Sequence, residues 1–401
     1  MVLRDRNHPS VIIWSIGNEV VERDVPDGSR ICTMLADYLR TLDATRPLSA
    51  ANCWATQPRK WADMDPMFSR LDIAGYNYTL DNEKADHFRV PARVMLATES
   101  FPGATYEYSR RVADNPYIIG DFVWSAFDYL GESGIGRSFL QTERTIDNAK
   151  KEQFPFHGAS CGDLDLTGLR KSISYYRNIV WNRGEKLYMT VLEPTPDGKP
   201  FRPTQWSLPP SLPSWTWPGC EGNDLKVEVY SSYEKVRLYL NGKLLEEKPT
   251  TRETRFKAVF SVPYAPGSLK AVAVYNNKEA AENIIATASA PAAIRLITDR
   301  ADINADGQDL SFVTVEIVDN QGRLNPNADN LIEFKLTGPG SIIGLDNGNL
   351  NSDQPYQRNQ RSAFHGRAIV VIRSTRAPGD VSLTARTDGL PAATLTIKSH
   401  N

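Results

Sequence analysis

A chain of 401 residues has room for two or three domains, each with a core of its own. Its 46 basic residues nearly balance 48 acidic ones, and a net charge of −2 gives no electrostatic case for nucleic acid as a partner. No apolar run approaches the ~20 residues of a membrane span, and Cys32, Cys53, Cys161 and Cys220 have neither Cys-x-x-Cys spacing nor a histidine pair, so they read as free or buried thiols.

In chain order, the first element is an unbroken apolar strand, Val11 to Ile16, running straight into Asn18-Glu19. Parallel strands buried on both faces read as continuous Val/Ile runs. Further strands are expected at 47–51, 73–78, 94–98 and 118–124, with helices near 29–43, 82–89, 105–114 and 171–182. The segment Arg93 to Ser100 repeats the first arrangement, a short apolar strand ending in Glu99. Two strand-end glutamates with room for three strand–helix units between them suit opposing strands of a (β/α)8 barrel, whose chemistry sits at the carboxyl ends of the strands. The competing reading of Glu19 is an acid opening the next helix, where the macrodipole favours it.

Near Glu185 the pattern changes to short alternating strands. Val227 to Tyr230 and Val236 to Leu245, the latter interrupted by Asn241-Gly242, carry a hairpin signal and predict a β-sandwich of immunoglobulin type. A second sandwich is expected from about Ala290 to Lys398, with strands at 292–298, 311–318, 331–336, 367–373 and 380–387, after the short linker Ala286 to Pro291.

The segment Arg4-Asp5-Arg6-Asn7-His8-Pro9-Ser10-Val11-Ile12-Ile13-Trp14-Ser15-Ile16-Gly17-Asn18-Glu19 resembles, nearly letter for letter, the acid/base signature of glycoside hydrolase family 2, which holds β-galactosidases, β-glucuronidases and β-mannosidases. Asp72-Ile73-Ala74-Gly75-Tyr76-Asn77-Tyr78 resembles its tyrosine-bearing strand, and Gly120 to Glu132 its last-strand motif. Motifs in this order are far more specific than a lone Asn-Glu pair. The resemblance implies an α/β plus all-β chain: the partial TIM barrel 1–184, holding strands four to eight, then immunoglobulin-like β-sandwiches at 185–286 and 290–401. It further implies that an N-terminal sugar-binding sandwich, an immunoglobulin-like domain and the first barrel strands precede Met1 in the whole protein, so the chain is expected to be a fragment of a bacterial enzyme.

By the same resemblance Glu19 is the acid/base and Glu99 the nucleophile of a retaining glycosidase, a pair that stands roughly 5 to 5.5 Å apart. Asn18 is expected to hydrogen-bond the sugar 2-hydroxyl, with a helix cap as the alternative role. Tyr78 is expected to orient Glu99, with Tyr76 as its competitor, and Trp124 to form the floor under the sugar. Trp54, Asp128, Tyr129 and Glu132 are placed at the pocket mouth. Arg6, Asn7 and His8, before the strand, read as structural. His157 and Asp163 lie in an excursion, Leu140 to Leu169, that could fold over the site.

For the substrate, Asp163 and Asp165 stand where the family's glucuronidases carry an Asn-x-Lys element; two acids there argue against a uronate. A β-linked oligosaccharide or glycoconjugate bearing a neutral β-galactoside comes first, then β-mannoside and β-glucuronide. No cofactor is assigned; a Mg or Na ion stays open, because the strand that would hold it precedes Met1. A homo-oligomer also stays open, and a periplasmic or secreted location is expected for the full-length protein. The reading from another class is an inactive carbohydrate-binding or structural fragment.

Overall fold

The structure is a computed structural model that describes residues 1–140, 154–195, 199, 201–202 and 204–401. The chain forms two compact units, Met1–Ser125 and Ala126–Asn401. It combines the C-terminal part of a TIM barrel with β-sandwiches.

In the first unit β1 (Trp14–Asn18), β2 (Leu48–Asn52), β3 (Ile73–Asn77), β4 (Met95–Ser100) and β5 (Ile118–Val123) pair in sequence order as one parallel sheet. Every residue of β2 and β3 is buried, as strands covered on both faces must be. β1 and β5 are edges, and Ile12, Ile119 and Phe122 are exposed at or beside them. β1 starts at Trp14 rather than Val11, because its ladder opens where Trp14 N–H donates to Pro47 O. Val11 instead closes a turn onto His8 O.

The intervening helices are amphipathic. The helix α1 (Pro26–Leu42) begins three residues earlier than expected, with Pro26 in the first turn, where a missing N–H costs nothing. It buries Cys32, Ala36 and Leu39, the i, i+4, i+7 stripe, toward the sheet side. Between β3 and β4 lies α2 (Glu83–Arg89), whose Asp86 is 1 % exposed. Its carboxylate accepts from Trp61 Nε1 at 2.8 Å, Tyr76 Oη at 2.6 Å and Arg93 at 2.8 Å. The helix α3 (Thr105–Asp114) follows β4.

The second unit opens with loops and the helix α4 (Ser172–Val180), the one expected to complete the barrel domain. It packs on the sandwich that follows: Ser172 Oγ meets Thr190 Oγ1 at 2.9 Å, Tyr176 Oη donates to Arg255 O, and Tyr175 stacks on Tyr188. The sandwich has sheets in the order Ser211–Leu212, Leu187–Leu192, Asp224–Ser231, Lys257–Pro263 and Lys243–Pro249, Lys235–Leu240, Ser268–Tyr275, Lys278–Ala286. Trp215, Val227, Leu238 and Phe260 centre its core. The Asn-Gly hairpin forms with Asn241 at φ 51° and Gly242 at φ 82°, the left-handed pair a two-residue turn requires.

In the second sandwich the sheets run Ala293–Thr298, Leu310–Val318, Arg367–Ser374, Gly340–Asp346 and Asp302–Asn304, Ala393–His400, Gly379–Arg386, Leu331–Thr337, Gln360–Ser362. The expected linker is clamped: Ala288 N–H donates to Thr216 Oγ1 and Ser289 N–H to Asp319 Oδ2. Burial alone would raise Asp319, but the N–H groups of Ser289, Arg323 and Gln321 and the Arg323 guanidinium hold it well below the usual carboxylate range.

Candidate active site

The carboxyl ends of β1, β3 and β4 bring the site together. Glu19 follows β1 at φ 49° and Tyr78 follows β3 at φ 58°, so both break from the strand direction in the left-handed region, costly for a side chain with a Cβ. Glu19 N–H donates to Ala51 O at 2.9 Å, and Tyr78 N–H to Glu99 O at 2.8 Å, which ties these two loops to the neighbouring strands β2 and β4.

Asn77, the last residue of β3 and 0 % exposed, was not among the expected site residues. Its Nδ2 donates to Asn18 Oδ1 and to Glu19 Oε1, each at 3.0 Å, and its Oδ1 accepts from Thr98 Oγ1 at 2.7 Å. β2 lies between β1 and β3. In a flat sheet next-but-one strands are roughly 9.5 Å apart, and two asparagine side chains that meet across that gap require the sheet to curl, as a barrel wall does. The curl draws Asn18, Glu19, Asn77 and Thr98 onto one concave face, with Glu99 directly after Thr98.

An aromatic bank adjoins them. Trp54, exposed, lies parallel to Tyr78 with 6.0 Å between centroids, and Tyr78 stacks on Phe101 at 4.4 Å. Arg23 holds Trp54 by donating twice to its carbonyl. Next to Trp54, buried Cys53 lies against Glu19; burial first, and then the Glu19 carboxylate, push its thiol up. All four cysteines are free thiols. Trp124 leaves β5 half-buried, its N–H on Ser100 O at 3.0 Å, and the Trp124–Ser125 peptide is cis.

Some expectations are corrected. Tyr76 is not a rival to Tyr78: it points to the helix layer, where burial and Asp86 push its hydroxyl up. Asp128 belongs to the second unit and is 5 % exposed, its Oδ1 taken by Lys171 Nζ at 2.6 Å and by Gly162 N–H. Burial still raises it, against the pull of Lys171 and the Gly162 N–H. Tyr129 Oη donates to Glu132 in the same unit. The two acids held against a uronate are also internally committed: Asp163 pairs with Arg177 at 2.6 Å, and Asp165 caps its own turn through Thr167 and Leu169. Arg177 balances the Asp163 charge, whereas Asp165 has neutral donors only. His157 bonds Tyr356 of the second sandwich; the expected excursion Leu140 to Leu169 includes residues 141–153, which lie outside the described residues.

Among the described residues no group of three or more His, Cys, Asp or Glu side chains is placed together as a metal site. No described helix is long and apolar enough to cross a membrane.

Residues 1–133 match the profile "Glycosyl hydrolases family 2, TIM barrel domain", 294–396 match "Glycoside hydrolase family 2 C-terminal domain 5", and 222–281 match a domain of unknown function. The chain belongs to glycoside hydrolase family 2. A β-galactosidase of Bacteroides ovatus is 29% identical over 100% of this chain and 50% of its own length; a putative β-glucuronidase of Formosa agariphila is 25% identical over 95% and 38%. A solved family 2 structure from Bacteroides cellulosilyticus, 37% identical, superposes with a TM-score of 0.91 over 100% of this chain and 51% of that one. The chain thus spans about half, or less, of the length of these relatives.

Proposed function

We propose that the chain supplies the catalytic carboxylates of a retaining exo-β-glycosidase, Glu19 as acid/base and Glu99 as nucleophile. The observation that carries this is their placement, each directly at the carboxyl end of a strand of one parallel barrel sheet, with Asn18 and Glu19 held by the same buried amide. Glu99 attacks the anomeric carbon as the bond to the aglycone oxygen breaks, and Glu19 gives that oxygen its proton. Glu19 then takes a proton from water, which displaces Glu99 from the glycosyl-enzyme. Asn18 bonds the 2-hydroxyl, a contact that strengthens in the transition state. Tyr78 orients Glu99, and Trp124 carries the sugar face.

A neutral β-galactoside is the first substrate, supported by the name of the Bacteroides ovatus relative; β-glucuronide and β-mannoside follow. No step is routed through a metal or other cofactor.

The test is nitrophenol release from aryl β-glycosides by the 401-residue chain and by the same chain extended with its upstream coding sequence. Retention of anomeric configuration, loss of about 10³-fold or more in Glu99→Ala, and azide rescue of Glu19→Ala on an activated substrate are expected. Inverted product, or full activity in Glu99→Ala, would sink the assignment. Silence in both forms would favour a carbohydrate-binding role.

A further inference from the structure

We propose that Asn77 is the positioning residue of the acid/base: its amide, bonded by Thr98, holds Glu19 by Oε1, so that the other carboxyl oxygen delivers the proton, and turns the Asn18 amide hydrogens toward the sugar. This rests on the roles given above to Glu19 and Asn18.

The hydrogen-bond count leaves one orientation. Asn77 has two amide hydrogens and two acceptors for them, Asn18 Oδ1 and Glu19 Oε1, both at 3.0 Å. The flipped amide would set Oδ1 against a carboxylate oxygen, with no hydrogen between them. Thr98 Oγ1 then donates to Asn77 Oδ1 at 2.7 Å and completes the set; a hydroxyl can also accept, so it is the Glu19 carboxylate that decides the orientation. Asn77 is fully buried, so water is no substitute for any of these bonds.

Two consequences follow for the chemistry. The Glu19 oxygen facing Asn77 meets an N–H donor and is a poor seat for a proton, which leaves the other oxygen to carry it. Asn18 has its Oδ1 turned to Asn77, which points its amide hydrogens outward, and a sugar hydroxyl accepts them. Asn18 itself is exposed, as a substrate contact must be in the free enzyme. Because Thr98 directly precedes Glu99, a single chain of bonds, Thr98 to Asn77 to Glu19, sets the acid relative to the strand that bears the nucleophile.

The experiment measures kcat/KM for aryl β-glycosides whose leaving groups run from 2,4-dinitrophenol, which departs without a proton, to phenol, which needs one. General acid assistance is worth about 10²–10⁴-fold. Asn77→Ala should lose about 10–100-fold more on the phenyl glycoside than on the dinitrophenyl glycoside, whose smaller loss reports the Asn18 contact alone. Thr98→Val, which keeps the shape of the side chain, should give the same tilt at smaller size, and it serves if Asn77→Ala does not fold. Equal losses on both substrates, in either folded variant, would make Asn77 a structural residue and overturn the proposal. Glu19→Ala is run beside them: no leaving-group dependence there overturns the acid assignment itself, whereas strong dependence there with none in Asn77→Ala and Thr98→Val overturns only the role of Asn77. A parent inactive in both the short and the extended form sinks both.

Discussion

The indole of Trp54, beyond β2, lies parallel to the phenol ring of Tyr78, beyond β3, with 10° between their planes. One ring is exposed and the other rests on Phe101, so the bank presents a flat apolar face beside Glu19 and Glu99. Sugar C–H groups pack on such a face, and an aromatic contact of this kind is worth about 0.5–1.5 kcal/mol. Trp54→Ala should therefore raise KM about 3- to 10-fold, with kcat moving less, and Trp54→Phe should recover most of it. Steady-state kinetics on an aryl glycoside would show this; a fall confined to kcat would mean that Trp54 serves the nucleophile through Tyr78.

A second prediction concerns Asp128 and Lys171. Burial pushes the Asp128 carboxyl up even with Lys171 Nζ 2.6 Å away, so this is a pair that must not be broken from one side. Lys171→Met should cost about 3–5 kcal/mol in urea unfolding, and the double variant with Asp128→Asn much less. The loss should grow with pH: a buried acid with a raised pKa is tolerated while protonated, and its stability is lost as pH rises through that value. A Lys171→Met loss that is flat in pH would leave Asp128 without a charge to compensate.

The strand-end glutamates were legible because parallel strands buried on both sides leave a continuous apolar run, and the polar residue that ends the run marks the carboxyl face. The Asn241-Gly242 hairpin was legible for an equally local reason, two adjacent residues that tolerate left-handed backbone. Asn276-Asn277 makes the same turn, at φ 50° and 60°, and was missed because neither residue is glycine.

Asn77 was hidden between two more conspicuous tyrosines. The signal was present: side chains alternate along a strand, so Tyr76 facing the helices puts Asn77 on the barrel side. Which tyrosine faced which way depended on Asp86, ten residues on and in another element. The Asp163 ion pair was hidden for the same reason: Arg177, in α4, is a partner no motif announces.

The second unit carries a pH dependence of its own. Burial pushes Glu193 up to about 7 from an ordinary 4.5, and burial together with Arg367 pushes His365, 3.8 Å away, down to about 4. Near neutral pH the imidazole is therefore uncharged and offers no ion pair. The sign is that of a raised acid: below pH 4.5 Glu193 is protonated folded or unfolded and costs nothing, between 4.5 and 7 the folded state loses stability, and above 7 the loss is complete. Its side chain keeps 26% exposure, which trims the full effect to something on the order of 2 kcal/mol. Glu193→Gln should raise the unfolding midpoint at pH 8 and leave it unchanged at pH 4; equal shifts at both would mean that titration of Glu193 plays no part.

Gly75 tests whether the site depends on the tightness of the sheet. In the middle of β3, a Cβ there would lie 2.5 Å from Ala50 O on β2 and 2.8 Å from Thr98 Cγ2 on β4. A backbone oxygen cannot swing away, so Gly75→Ala must part β2 from β3 or push Thr98 aside, at a cost of about 1–3 kcal/mol. Thr98 is also the donor to Asn77. The variant should therefore lower the unfolding midpoint and, in the molecules that remain folded, reproduce the leaving-group tilt of Thr98→Val. Destabilisation with uniform kinetics across leaving groups would show that the sheet relaxes on its β2 side and leaves the Thr98 to Glu19 chain intact.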